Sequence, residues 1–348
     1  MPTSLVTGGT GFIALHVVKL LLENGESVHA TVRSLANTAK CKPLLDLQTQ
    51  YPGRLSLFEA DLLREGSFTS AMQSCRVVYH IASPFLAPPQ IKNGMKECVE
   101  PALQGTRNVL ESVNACESVH RVVLTSSIAA LYSDSIEVTQ MKDQTLCEAY
   151  WNETASPTNN PYHYSKVIAE REAWKLCKAQ SRWDLVVLNP GLTLGPPLTT
   201  ASTSGSLYTV DNIFSGANRQ GTPELYYPVV DVRDVAEAHC KAGTSATAKG
   251  RRYLIAGDHT VGLLEMAELV RPIHRDPRVL PTRNLPKIMV YLAGPFIGVS
   301  RSWVSRNIGV NFKVDNGRSV RELGMAYIPV EKVVRDHYEA WLALKGEQ

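Results

Sequence analysis

Residues 4–22 read SLVTGGTGFIALHVVKLLL, and this stretch decides the fold. A short apolar run, Leu5-Val6, breaks into Gly8-Gly9-Thr10-Gly11. Ile13, Val17, Leu20 and Leu21 then recur at the spacing of one buried helix face. Strand, glycine turn and helix together form the opening unit of a dinucleotide-binding fold. Glycine at 8 permits a turn that a Cβ would obstruct, and glycine at 11 lets the backbone approach a pyrophosphate. Ala14 is small enough for the helix to pack closely on the strand. The free N–H groups at the helix start then face the phosphates. Any tight strand-to-helix turn can collect such glycines, so the motif needs support from the rest of the chain.

That support comes from the order of elements downstream. Residues 27–32 (SVHATV) alternate and are β-branched, which predicts a second strand. An NAD-binding unit places an acidic residue about 20 positions past the glycines to hold the ribose 2′-hydroxyl. Here the strand ends Val32-Arg33-Ser34, with Lys40 further on. A guanidinium there can pair with a 2′-phosphate, so NADP(H) is expected; the alternative is a solvated surface arginine. Residues 54–59 predict a third strand leading to Asp61, whose carboxylate could accept from adenine or cap the next helix. Residues 77–82 (VVYHIA) predict a central parallel strand stopped by Ser83-Pro84. A helix over about 94–115, a strand over 121–124 ending Thr125-Ser126-Ser127, an irregular segment over 133–161 and a helix over about 162–180 follow. A sixth strand, 185–188, closes in Asn189-Pro190-Gly191. This rhythm predicts an α/β, Rossmann-type doubly wound parallel sheet. Residues 1–191 would form the dinucleotide-binding domain, with 229–257 returning to its sheet. Residues 192–228 and 258–348 would form a smaller substrate-binding lobe, and the polar loop 198–206 a lid.

Composition bounds the function. The chain has 348 residues, 44% hydrophobic and 20% charged, which reads as soluble and globular. A net charge of +3 is too small and dispersed for a nucleic-acid partner. Seven cysteines without C-x-x-C pairs indicate neither a zinc site nor a disulfide framework. No apolar run is long enough to span a bilayer, and the first strand starts too early for a signal peptide. The expectation is a cytoplasmic protein with no membrane partner.

Chemistry concentrates at Ser127, just past strand five, and at Tyr162 and Lys166, which open the next helix. Positions i and i+4 share a helix face, so the ammonium can sit near the phenol. A phenol ordinarily titrates near about 10. A neighbouring Lys⁺ and a positive nicotinamide favour its ionised form; in the reductive direction it donates a proton as hydride reaches a carbonyl carbon. A serine hydroxyl donating to the same oxygen stabilises its developing charge. A Y-x-x-x-K spacing arises by chance, so its weight is positional.

TGGTGFIA, VVLTSSIAA, YHYSK, NPGLTLGP and KVDNGRSVRELG together resemble the extended short-chain dehydrogenase/reductases, whose glycines are spaced three apart as in Gly8, Gly11, Ala14. More narrowly they resemble the branch of dihydroflavonol reductase, cinnamoyl-CoA reductase and fungal carbonyl (aldehyde, methylglyoxal, ketone) reductases, over nearly the whole chain. The resemblance implies Ser127, Tyr162 and Lys166 as catalytic residues, with Tyr162 and Lys166 also contacting the cofactor and Lys166 holding the nicotinamide ribose. It places Gly8, Thr10, Gly11, Phe12 and Ile13 at the pyrophosphate and Arg33 and Lys40 at the 2′-phosphate. Asp61 and Leu62 fall at adenine, and Ala82, Ser83 and Pro190 at the nicotinamide end. Three departures stand out: Ala14 as the third glycine, Asn316-Gly317-Arg318 where N-S-K is usual, and Ile128 where an aromatic or alanine is common. Ile128 and Phe85 are the substrate-contact candidates.

Other features read as structural. His80 and His163 have no metal-spaced partner, Asp231 should end a strand, and Asp234 should sit in a helix's first turn. Tyr208, Phe214 and Tyr226 are core candidates. The expected activity is an NADPH/NADP⁺-dependent reductase of a small-molecule aldehyde or ketone, working as a monomer or homodimer with no metal. The alternatives are a 3β-hydroxysteroid-type dehydrogenase, a sugar-nucleotide epimerase, or a silent NADP(H) sensor. A sensor would usually lack the Tyr/Lys pair.

Overall fold

The computed structural model describes residues 3–84, 91–199 and 204–346, with side chains through 344. Its strands are β1 (Thr3–Val6), β2 (Ser27–Val32), β3 (Leu55–Glu59), β4 (Cys75–His80), β5 (Arg121–Thr125) and β6 (Thr145–Leu146). These are followed by β7 (Asp184–Pro190), β8 (Leu192–Leu194), β9 (Tyr226–Asp231), β10 (Arg252–Ile255), β11 (Thr260–Gly262) and β12 (Lys313–Val314). A seven-stranded, all-parallel sheet runs in the order β10-β7-β5-β4-β1-β2-β3.

Alternation along these strands builds two cores. Val6, Tyr79, Val123 and Val186 face one side, where they meet Leu15, Val18 and Leu22 of the helix Phe12–Glu23 and Val235 of the helix Val232–Thr244. Their neighbours Leu5, Val78, Val122 and Val187 face the other, against Val109 and Val113 of the helix Glu100–Ala115. Both faces are therefore covered, which is why these strands read as continuous apolar runs. Each fully buried Leu or Val of this kind contributes about 1.5–3 kcal/mol.

The order reverses between β1 and β4, neighbours in register Leu5↔Val78 and Val6↔Tyr79. In an open parallel sheet the ligand crevice lies outside the carboxyl ends at that reversal. β4 ends at His80, two residues before the expected boundary. The next two amides, Ile81 N and Ala82 N, both donate to Thr7 Oγ1 at 3.0 Å instead of continuing the ladder.

The expected return of 229–257 to the main sheet divides. Arg252–Ile255 does join it, on the edge beside β7. Tyr226–Asp231 does not: it pairs parallel with β8 and antiparallel with β11 in a separate three-stranded sheet. Gly191 allows this departure, since a Cβ there would lie 2.3 Å from the Pro228 carbonyl oxygen. The small sheet has its own core, including Phe214, Met266, Val334 and Tyr338. The irregular segment contributes β6, which pairs with β12 near the C-terminus. Asp231 ends β9 and caps the helix Val232–Thr244, accepting from Arg233 N at 2.8 Å. Asp234 lies in that helix's first turn and accepts from Ile328 N at 2.9 Å. No helix among the described residues is long and apolar enough to cross a membrane.

Candidate active site

Because β1 and β4 are adjacent, the loops that follow them meet. Gly8 takes the left-handed region at φ +68°, and a Cβ there would stand 3.0 Å from Ala82 Cβ. The turn is closed by Gly11 N donating to Gly8 O at 2.8 Å, and Gly8 N donates to Thr31 Oγ1 at 3.1 Å. Gly11 caps the helix Phe12–Glu23 with no side-chain acceptor, so the positive end of the helix faces the crevice bare. Thr10 and Ile13 are half-buried at this start, and Phe12 is buried.

Arg33 follows β2, and Lys40 sits in the first turn of the helix Thr38–Gln50. Both are exposed, and neither has an ion-pair partner among the described residues. Asp61, past β3, accepts from Leu63 N at 2.8 Å through Oδ1, so it caps its own turn. The Leu62 carbonyl beside it accepts from Asn108 Nδ2 at 2.7 Å. A turn with no room for a Cβ, an uncapped helix start and two unpaired cations past β2 fit a dinucleotide carrying an extra phosphate.

The helix Pro161–Lys178 supplies Tyr162 and Lys166 on one face. The Lys166 Nζ lies 5.7 Å from the Tyr162 ring centroid and donates to Ser83 Oγ at 3.0 Å. Lys166 is only 9% exposed, so its charge acts with little screening. Burial, with Lys166 adding to it, pushes His80 down to about 3. The Thr7 hydroxyl, already accepting two amides, gives its proton to His80 Nδ1 at 3.1 Å. His80 is thus a neutral structural ring. His163 packs edge-on to Tyr162 at 5.9 Å; desolvation pushes it down to about 4, outweighing Asp134 and Glu137.

Ser127 follows β5, and its Oγ accepts from Ala129 N at 3.1 Å at the head of the turn Ile128–Ala130. That contact orients the oxygen and leaves the hydroxyl proton available. Ile128 is half-buried, and Pro190 is buried at the end of β7. Phe85 lies outside the described residues. Phe214 belongs to the small-lobe core against Tyr338 and Trp341, Tyr208 is exposed, and Tyr226 donates to Glu224 Oε1 at 2.9 Å. No group of three or more His, Cys, Asp or Glu able to hold a metal occurs among the described residues. Sequence reasoning missed the polar residues behind the site, Thr7, Asn189 and Glu170. The available signal was Glu170 one helical turn past Lys166 and Asn189 inside the NPG strand end.

The family model described as the NAD dependent epimerase/dehydratase family matches residues 4–256. A cinnamoyl-CoA reductase of Medicago truncatula is 33% identical over 337 residues, 96% of this chain and 94% of that one. An anthocyanidin reductase of Vitis vinifera is 34% identical, covering 74% of this chain and 78% of its own. Among solved structures, yeast methylglyoxal/isovaleraldehyde reductase Gre2 complexed with NADPH superposes with a TM-score of 0.80 at 25% identity, covering 99% and 100% of the two chains. Gre2 of Candida albicans, also in complex with NADPH, gives 0.78 at 29%, covering 99% of each. The parallel sheet, the glycine turn at its reversal and this match over most of the chain lead to one statement: the protein belongs to the NAD dependent epimerase/dehydratase family, as an extended short-chain dehydrogenase/reductase.

Proposed function

We propose that this protein is an NADPH-dependent reductase of an aldehyde or ketone, reversible as an alcohol dehydrogenase, with Ser127, Tyr162 and Lys166 as its catalytic residues. The observation that carries the reading is the placing of Lys166. Its buried ammonium reaches Ser83 in the loop after β4 from the same helix face that presents Tyr162. Bound NADPH supplies the hydride. Gly8, Thr10, Gly11, Phe12 and Ile13 hold its pyrophosphate, Arg33 and Lys40 its 2′-phosphate, and Asp61 and Leu62 its adenine. Ala82, Ser83 and Pro190 border the nicotinamide end.

Tyr162 then donates its phenolic proton to the carbonyl oxygen, and the nearby ammonium stabilises the phenolate left behind. Ser127, its Oγ turned by Ala129 N, donates to the same oxygen and stabilises the developing charge. Phe85 and Ile128 are the proposed substrate contacts, and the lobe of residues 192–228 and 258–348 the substrate-binding part. The names of relatives support a small-molecule carbonyl substrate: they include a cinnamoyl-CoA reductase and a methylglyoxal/isovaleraldehyde reductase.

The test is NADPH oxidation by the purified chain over aldehydes, diketones, ketoesters and phenylpropanoid CoA thioesters. Turnover of at least one of them, lost in Tyr162→Phe, is expected. NADPH binding without any turnover would leave a silent cofactor sensor, and interconversion of sugar nucleotides without net oxidation would make it an epimerase.

A further inference from the structure

Behind the site lies a buried polar cluster that the proposed chemistry does not use. Glu170 is fully buried on the helix of Tyr162 and Lys166, one turn further along. Its carboxylate takes donors from four side chains. Oε2 accepts from Ser126 Oγ at 2.6 Å and from Asn189 Nδ2 at 2.9 Å. Oε1 accepts from Arg252 Nε at 2.5 Å and from Trp174 Nε1 at 3.3 Å. An ionised carboxylate offers about four lone-pair sites, so this one is saturated.

Asn189 is the informative member. It is fully buried at the end of β7, and its Nδ2 donates both to Glu170 Oε2 and to the Ser127 carbonyl at 3.1 Å. Both partners are acceptors, so the amide has only one orientation that fits. Ser127 is therefore held twice: its carbonyl by Asn189, and its Oγ by Ala129 N.

We infer that Glu170 is a positioning residue that sets Ser127 through Asn189. Ser126, adjacent in the chain, is tied to the same oxygen of Glu170, and its amide to Leu188 O at 2.8 Å. The end of β5 is thereby indexed to the helix carrying the phenol. Arg252 fixes the carboxylate from the sheet edge. It is itself held by the carbonyls of Glu148 and Tyr150 at 2.9 Å and by the Trp151 ring face at 3.7 Å. Arg318, part of the departure from the usual tail motif, extends the cluster by pairing with Glu148 at 2.7 Å. A donor must meet the reacting oxygen within a few tenths of an ångström, and a displacement of about 1 Å costs on the order of a hundredfold in rate. Rigid indexing of Ser127 to Tyr162 is what this cluster supplies.

The inference rests on the reading of Ser127 as the hydroxyl donor, and the test separates the two. Glu170→Gln turns two of the four acceptor sites into an N–H₂ group facing donors. Asn189→Ala cuts the link to Ser127 while leaving the Glu170–Arg252 pair, so it serves if Glu170→Gln does not fold. With the best carbonyl substrate, each variant is expected to lose roughly ten- to a hundredfold in kcat. NADPH affinity, measured by fluorescence titration, should stay within about twofold of wild type. Each is then combined with Ser127→Ala. Because the cluster acts through Ser127, the double variants should be no slower than Ser127→Ala alone. Losses that multiply would overturn the positioning role and leave the Ser127 reading standing, as would wild-type kcat in Asn189→Ala beside an impaired Ser127→Ala. Wild-type turnover by Ser127→Ala would overturn both.

Discussion

Lys166 Nζ stands 3.0 Å from Ser83 Oγ and 5.7 Å from the Tyr162 ring centroid, so one buried ammonium lies between the loop after β4 and the tyrosine ring. On the proposed reading the lysine serves both the cofactor and the proton donor. Tyr162 acts on that reading chiefly as the proton donor, and the two residues should separate experimentally.

Tyr162→Phe keeps the ring and removes the proton. Turnover should fall by at least the ~10²-fold typical of losing a general acid, with NADPH affinity nearly intact. More than a tenth of wild-type activity in steady-state assays would remove Tyr162 from that role.

Lys166→Ala should fail differently, losing both turnover and NADPH affinity, because the ammonium also faces the cofactor cleft. The check is a binding titration on the variant. An NADPH affinity equal to wild type would leave the lysine acting on the phenol alone.

On the proposed reading, Arg33 and Lys40 decide cofactor choice. A charge-assisted contact to the 2′-phosphate contributes about 1.5–3 kcal/mol, roughly ten- to a hundredfold in affinity. Wild type should strongly prefer NADPH, Arg33→Asp should lose that preference and partly accept NADH, and high salt should weaken NADPH binding more than NADH binding. Equal NADH and NADPH efficiencies in wild type would reduce Arg33 to a solvated surface residue.

Gly8→Ala places a Cβ 3.0 Å from Ala82 Cβ at φ +68°. The left-handed conformation alone costs about 1–2 kcal/mol for a residue with a Cβ. Urea unfolding should show that loss, together with weakened NADPH binding. Wild-type affinity in the variant would mean that the turn does not approach the pyrophosphate.

Asp234 supplies a pH test. Burial pushes its carboxyl up to about 6, with Asp231 and Glu237 adding to the shift and Ile328 N opposing it. The unfolded chain ionises it first, near the ordinary carboxyl value. Its favourable contribution is therefore full at low pH and is lost as pH rises through about 4 to 6, a difference on the order of 2–3 kcal/mol. Asp234→Asn should accordingly stabilise the protein at pH 7.5 more than at pH 4, in urea midpoints taken at both. An equal gain at both pH values would show that ionisation is not the cause.

Much of this molecule was legible in order along the chain. The glycine turn, the strands that both faces bury, and the i, i+4 spacing of Tyr162 and Lys166 are local patterns, set by backbone sterics and helix periodicity. Asp231 as a strand end and Asp234 in a first helical turn were readable for the same reason. β4 was read two residues too far because its end depends on the Thr7 hydroxyl, 73 residues before His80. Residues 229–231 were assigned to the main sheet because an apolar strand carries no mark of which sheet it joins.

The sequence by itself determined most of the main-sheet strands and their helices, the crevice-forming turn and the residue kinds available for proton and phosphate chemistry, since each depends on near neighbours. The tertiary structure decided the strand order, the departure of β8 and β9 into their own sheet, and the union of Ser126, Glu170, Asn189 and Arg252 around one carboxylate. Those contacts join residues 19 to 82 positions apart, and no local periodicity encodes them.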